Sequence, residues 1–377
     1  MVVLSEYDKK VYETELKEFL PYEFIDCHTH VWKKDFAFQG SSNGGSTWTK
    51  KVAEYLEAEQ LLESYKILFP DNKVTPLVFG SCSRDIPTCN EYVREKKREL
   101  GFPALFRTSY DMTPDYLEEE VKKGGFLGIK PYLSNCPPYI PAAEIRIFDF
   151  LPHEHLKIAD KNGWIVMLHI PRSKRLRDAV NIAQIMEIEK KYKNLKLIVA
   201  HIGRAYAKED IGDAFDILKN TENLVFDFTA NVCDDAIKAC IEAVGTKRLL
   251  FGSDLPIAFM KMYRVVENGE YFNVVPRGLY GDVTGEPHMR ETDSRDVTFM
   301  IYEQILALKR VAAYMKLDDG DIEDIMYRYL FVVVLLDIRY CRHQLVYSFV
   351  ELLLYFLAFN ACFHNAYQKI ADKQAAL

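Results

Sequence analysis

Phe24-Ile25-Asp26-Cys27-His28-Thr29-His30 opens the part of the chain that decides its fold. Two apolar residues lead into a short run that carries a pair of imidazoles, two positions apart. Seven further runs share this build, at 74–80, 103–109, 127–132, 164–170, 195–202, 224–229 and 248–254, with the first taken as 24–28. They are almost continuously apolar, as expected of parallel strands covered on both faces. Amphipathic stretches between them are predicted as helices at 49–69, 91–100, 114–123, 152–162, 174–192, 209–220 and 234–244. Strands alternating with helices in this way predict an α/β protein, a (β/α)₈ barrel. A doubly wound open sheet is the alternative. It is disfavoured because no glycine-rich phosphate turn follows the first strand, and Gly44-Gly45 within 41–46 matches neither dinucleotide nor P-loop spacing. The predicted organisation is an N-terminal helical segment (1–22), one barrel (23–328) and an atypical hydrophobic C-terminal segment (329–377). Long connections at 31–48, 81–89, 133–151 and 255–296 would gather at the C-terminal face of the barrel and shape a pocket.

The strand ends carry the chemistry. His28 and His30 close the first strand, Lys130 lies in the fourth, His169 ends the fifth, His201 the sixth and Asp254 the eighth. Buried strands rarely hold ionisable groups, because burying a charge or an unpaired imidazole is costly. In a parallel barrel these ends meet on one face, so the residues converge and suit metal ligation or acid–base catalysis. His28 and His30, two apart on a strand, leave the ribbon on the same side, whereas Cys27 points the other way. A second His-x-His, His153-Glu154-His155, falls in a predicted helix, where such residues do not share a face. A solvated or capping role is expected for it. Lys130 has two uses open to it, pairing with a neighbouring carboxylate or binding an anionic substrate. Arg204, three residues past His201, would lie over the pocket mouth, where a guanidinium suits a substrate carboxylate; its plainer reading is an exposed arginine at a helix start. Trp32, Arg107, Tyr132, Arg172 and His288 are candidates to line the site.

A net charge of −7 spread along the chain gives no clustered basic face and argues against a nucleic-acid partner. The eight cysteines show no C-x-x-C pair and read as free thiols of a reducing compartment. With no secretory signal in the first 20 residues, the expected location is cytoplasmic. The stretch 345–363 is apolar except for Glu351, a marginal membrane candidate for which a buried terminal helix is preferred.

The motif from Phe24 to His30, the later His169 and His201, and Phe251-Gly252-Ser253-Asp254-Leu255-Pro256 resemble the amidohydrolase superfamily. The resemblance is to its amidohydrolase-related branch, which includes aminocarboxymuconate-semialdehyde decarboxylase-like enzymes, and it runs from about Phe24 to Arg328. It implies a divalent metal, one Zn²⁺ by cautious count, held by His28, His30, His169 and Asp254. It further implies proton-handling roles for Asp254 and His201, and a third use for Lys130, which in some members is carboxylated and bridges two metals. Three imidazoles and a carboxylate favour zinc or another borderline transition metal over magnesium on chemical grounds. The implied reaction is hydrolysis of a C–N or C–O bond in a small carboxylated molecule by metal-activated water. A decarboxylase or hydratase on the same site is the alternative, and a metal-binding barrel that has lost catalysis is a third reading. Residues 321–328 resemble the branch's closing helix, which continues into Asn-Ala; here 329–359 intervenes before Asn360-Ala361. That insert reads as foreign to the family core, a gene-model artefact such as translated intron. Its rival is an apolar extension that packs on the barrel, makes a homo-oligomer or touches membrane.

Overall fold

The computed structural model describes residues 2–36, 49–81 and 85–330. The expected glycine loop at 41–46, Cys82, Cys341, Cys362 and all of the C-terminal segment beyond Leu330 lie outside the described residues. Among the described residues no helix is long and apolar enough to cross a membrane.

Eight parallel strands form the centre: β1 (Glu23–Val31), β2 (Lys73–Gly80), β3 (Phe106–Thr108), β4 (Gly128–Pro131), β5 (Ile165–Leu168), β6 (Lys196–Val199), β7 (Val225–Asp227) and β8 (Leu249–Leu250). From β3 to β8 they pair in sequence order, and β1 pairs with β2. Two seams remain and both close. Val78 bridges Ala104, and Thr29 bridges Leu255, with Cys27 N–H donating to the Phe251 carbonyl at 3.0 Å and His30 N–H to the Leu255 carbonyl at 2.8 Å. The result is the (β/α)₈ barrel expected from the apolar runs. Between Asp26 and Thr29, β1 carries one residue more than the facing segment of β2, a bulge that contains His28, the first of the histidine pair.

Helices Ala58–Leu68, Ile86–Leu100, Pro114–Gly124, His153–Asn162, Ala179–Lys191, Ala214–Leu218, Asp234–Val244 and Met300–Met315 cover the outside. The expected helix at 91–100 begins five residues earlier, at Ile86, and three other stretches divide or contract. The stretch 49–69 divides into Thr49–Val52 and Ala58–Leu68. The stretch 174–192 divides because the Asp178 side chain accepts from Val180 and Asn181 N–H, starting the helix there. The stretch 209–220 contracts to Ala214–Leu218. His155 is also corrected. It is buried with Nε2 against the Met112 carbonyl at 2.8 Å, a core histidine and not a solvated one, while half-buried His153 meets the Tyr192 hydroxyl at 2.8 Å.

The connection after β8 is not the irregular loop its length suggests. It folds into a three-stranded sheet of β9 (Tyr263–Glu267), β10 (Glu270–Pro276) and β11 (Met289–Thr292), with β10 in the middle. The excursion is stitched at its base. Lys261 bridges Phe299, Met262 N–H donates to the Thr298 carbonyl at 2.9 Å, and Met300 N–H to the Met260 carbonyl at 2.7 Å. The N-terminal helix Glu6–Val11 anchors on this base through buried Asp8, which accepts from Lys261 Nζ at 2.6 Å and Thr298 Oγ1 at 2.9 Å.

Gly252 sits where β8 crowds β1. A Cβ there would lie 2.1 Å from Thr229 Oγ1, 2.8 Å from His28 Cβ and 3.1 Å from Cys27 Sγ. Gly252→Ala should therefore destabilise the barrel by about 2 kcal/mol, in the range typical of overpacked cores. Thermal unfolding should show a drop of about 3 °C; an unchanged melting temperature would refute the crowding argument.

Candidate metal and catalytic site

The C-terminal ends of the strands bring the ionisable residues together, and the order of strands around the ring decides who meets whom. β8 and β1 are neighbours, so His30 Nε2 lies 3.1 Å from Asp254 Oδ1. β5 and β6 are neighbours, so His169 Nε2 lies 2.6 Å from His201 Nε2. His28 reaches toward the axis between them. Its ring centroid is 5.5 Å from that of His30, 5.3 Å from His169 and 5.0 Å from His201. Two candidate ligand groups follow, His28–His30–Asp254 and His28–His169–His201, each with ligand atoms within 4.8 Å of one another. The four residues singled out from the sequence as ligands are thus divided between two groups, and His169 sits with His201 rather than with Asp254.

The backbone leaves the strand ladder to aim these groups. His201 and Asp254 fall past the ends of β6 and β8, with φ of +59° and +69°. Left-handed backbone at such residues costs on the order of 1 kcal/mol each and persists only when neighbours hold it. Here His201 N–H donates to Asp227 Oδ1 at 2.7 Å, and Asp254 N–H to the His28 carbonyl at 2.9 Å.

Buried acceptors set the tautomers. His28 Nδ1 faces Asp227 Oδ2 at 3.1 Å, and His201 Nδ1 faces the Thr229 carbonyl at 2.8 Å. Each Nδ1 carries a proton to its acceptor, which leaves the Nε2 lone pair directed inward, the arrangement of a metal-binding imidazole. Burial together with Lys130 lowers the His28 pKa to about 3, and burial lowers those of His169 and His201, so these rings stay neutral and able to ligate. Burial pushes the Asp254 carboxyl up, but the His30 hydrogen bond and the surrounding imidazoles outweigh it and hold its pKa down to about 2. The donor set therefore fits a divalent cation: several neutral imidazoles and one ionised carboxylate, with a buried His169 Nδ1 that has no hydrogen-bond partner among the described residues.

Lys130 is fully buried on β4, its Nζ 3.3 Å from His28 Nε2 and 4.7 Å from the Phe79 ring centroid. The Tyr132 hydroxyl meets His30 Nδ1 at 3.1 Å, and buried Arg107 lies over the Tyr132 ring at 4.9 Å. Arg204 is half-buried, with Nη1 3.5 Å from the Ile170 and Pro171 carbonyls at the end of β5. The remaining lining candidates are held elsewhere. Trp32 donates to the Glu54 carbonyl, Arg172 pairs with Asp178 and Glu144, and His288 stacks on Tyr271.

Two carboxylates belong to the site that the sequence reading passes over. Asp227 ends β7, fully buried, and grips both the His28 ring and the His201 backbone. Asp26 accepts from Ser253 N–H at 2.8 Å, Tyr65 OH at 2.7 Å and His28 N–H at 3.2 Å, tying β1 to the turn that carries Asp254; burial raises its pKa to about 6. Their signal was an acid inside an apolar strand, the same anomaly that marks His169 and Asp254.

Residues 25–263 match the family model described as amidohydrolase, more than half of the chain. No curated protein matches the sequence. Solved structures do match in fold. An amidohydrolase from Burkholderia multivorans with bound zinc superposes with a TM-score of 0.55 at 12% identity, covering 82% of this chain and 98% of its own. A probable 2-pyrone-4,6-dicarboxylic acid hydrolase from Acinetobacter baumannii gives 0.52 at 13%, covering 82% and 98%. The 2,6-dihydroxybenzoate decarboxylase from Rhizobium gives 0.51 at 13%, covering 84% and 100%. With its histidine-rich barrel mouth and a family match spanning most of the barrel strands, this chain belongs to the amidohydrolase family of metal-dependent enzymes.

Proposed function

We propose that the chain hydrolyses a C–N or C–O bond (amide, lactone or related ester) in a small carboxylated molecule, with His28, His30, His169 and Asp254 as ligands of one zinc ion. The observation that carries this reading is the meeting of His28 and His30 with ionised Asp254, and of His28 with the His169–His201 pair, at one end of the barrel. A bound divalent ion lowers the pKa of water toward neutrality and polarises a carbonyl. Asp254, ionised throughout the neutral range, accepts the proton that the attacking water gives up. His201, fixed through Nδ1, presents Nε2 to orient the substrate oxygen or carry a proton to the leaving group. Lys130 and Arg204 supply positive charge for the substrate's anionic group. His28 Nε2 belongs to both ligand groups, and one imidazole nitrogen has one lone pair to give, which supports a single ion.

The lyase alternative rests on the cation of Lys130 3.3 Å from His28 Nε2, where a carboxylate bound for removal would be held. Cys27, Cys89, Cys136, Cys233 and Cys240 are free thiols, which supports a cytoplasmic setting. The deciding experiment combines metal analysis of protein purified without chelator with a pH-stat panel of lactones, cyclic amides and carboxylated arenes. About one ion per chain and acid release on a lactone or amide is the expected result. Release of CO₂ instead transfers the assignment to the lyase, and a fully loaded protein that turns over nothing in the panel leaves a non-catalytic barrel.

A further inference from the structure

Beyond His201, a cluster of arginines and tyrosines lines the rim of the site. The Tyr206 ring lies 6.3 Å from His201, and the Arg264 guanidinium of β9 packs 4.9 Å from Tyr206 and 4.8 Å from Tyr271. Arg175 packs beside them, 5.5 Å from Tyr206 and 4.8 Å from Tyr271, but its charge is neutralised by Asp210 at 2.6 Å. Arg264 is different. It donates through Nε to Asn273 Oδ1 and through Nη1 to the Ala230 carbonyl, both at 3.0 Å and both uncharged. Arg204, half-buried on the turn that also carries Tyr206, meets the carbonyls of Ile170 and Pro171. Among the described residues neither Arg204 nor Arg264 has a carboxylate within ion-pair distance.

Half-burying one guanidinium against aromatic rings and another against main-chain carbonyls is costly unless an anion completes them. Arginine keeps its charge at any working pH, and its planar fork matches a carboxylate. We infer that Arg264 and Arg204 form a carboxylate-binding subsite around Tyr206, next to His201, and that Arg264 on the inserted sheet determines which substrates are accepted. This inference rests on the reading of the histidine cluster as the reaction centre. It adds to that reading a residue outside the barrel strands and commits the substrate to an anionic group on the His201 side.

The test is calorimetric titration of the metal-loaded protein with succinate, with dimethyl succinate as the uncharged control. Wild type should bind succinate and not the ester. Arg264→Gln should weaken succinate at least about 10-fold, as expected when one charge-assisted hydrogen-bonding partner is removed. Arg277→Gln, which removes an exposed arginine paired with Asp293 and Glu291, should leave binding unchanged. Should Arg264→Gln fail to fold, Arg264→Lys keeps the charge without the planar fork and should still bind several-fold more weakly. Wild-type affinity in the folded Arg264 variants, or equal binding of succinate and its ester, overturns the subsite. Turnover plays no part in this readout. Arg264-dependent succinate binding in a protein that hydrolyses nothing would keep the subsite and discard the hydrolase, and the converse result would do the reverse.

Discussion

His28→Ala should empty the metal site and lower kcat/KM by roughly a thousand-fold or more, since the ion supplies the nucleophile's activation. The size of the effect follows from where His28 sits. Its Nε2 is the one donor common to both ligand groups, so its loss leaves the His30–Asp254 and His169–His201 pairs, and no group of three. Of the four proposed ligands His30, His169 and Asp254 remain, but they belong to different groups and lose the donor that joins them, so the ion is held too loosely to stay bound against solvent. His28 also carries the hydrogen bond to Asp227, so the variant leaves a buried carboxylate without its ring partner and should lose stability as well. Metal content after dialysis, read beside circular dichroism to establish folding, checks the prediction. A folded His28→Ala protein that keeps a full complement of metal and normal turnover would sink the shared-ligand reading.

Asp254→Asn should lower kcat by roughly a thousand-fold, within the range that a positioned general base contributes, while leaving the fold intact. The substitution is isosteric but removes the charge, and an amide oxygen does not take a proton at neutral pH. Wild-type Asp254 is held ionised by His30 and its neighbouring imidazoles, so the missing function is proton acceptance and anionic ligation together. The two separate experimentally. If metal content is preserved and kcat falls with KM little changed, the proton role dominates; if metal is lost in parallel with rate, ligation dominates. Near-wild-type kcat in a metal-loaded Asp254→Asn protein would remove Asp254 from the chemistry.

The barrel is legible in the sequence because parallel strands covered on both faces read as unbroken apolar runs. The run at 74–80 lies within Lys73–Gly80, and the run at 164–170 contains Ile165–Leu168. The eighth strand is less legible. Its paired part is only Leu249–Leu250, because the chain past it turns to hydrogen-bond β1 and adopts the left-handed backbone that aims Asp254. The residues of the candidate site were readable from charges stranded in apolar runs, whereas their division into two groups depends on which strands are neighbours in the closed ring. Asp227 carried the same signal inside Val225-Phe226-Asp227-Phe228 and stands in the site for the same physical reason. The inserted sheet also had its mark, Asn268-Gly269 between two β-rich stretches; both residues take positive φ, +52° and +78°, as a tight hairpin turn requires. Arg264 precedes that turn on β9, which is why motif-by-motif comparison of strand ends does not reach it.

Because the excursion from Met260 to Met300 leaves and rejoins the chain at one knot of main-chain contacts, its ends are already in register without the residues between them. Such a flap can be traded for one of different length or sequence while the cylinder underneath goes on holding its imidazole cluster unchanged. Divergence in what these enzymes accept can then proceed by replacing a cover rather than rebuilding a machine.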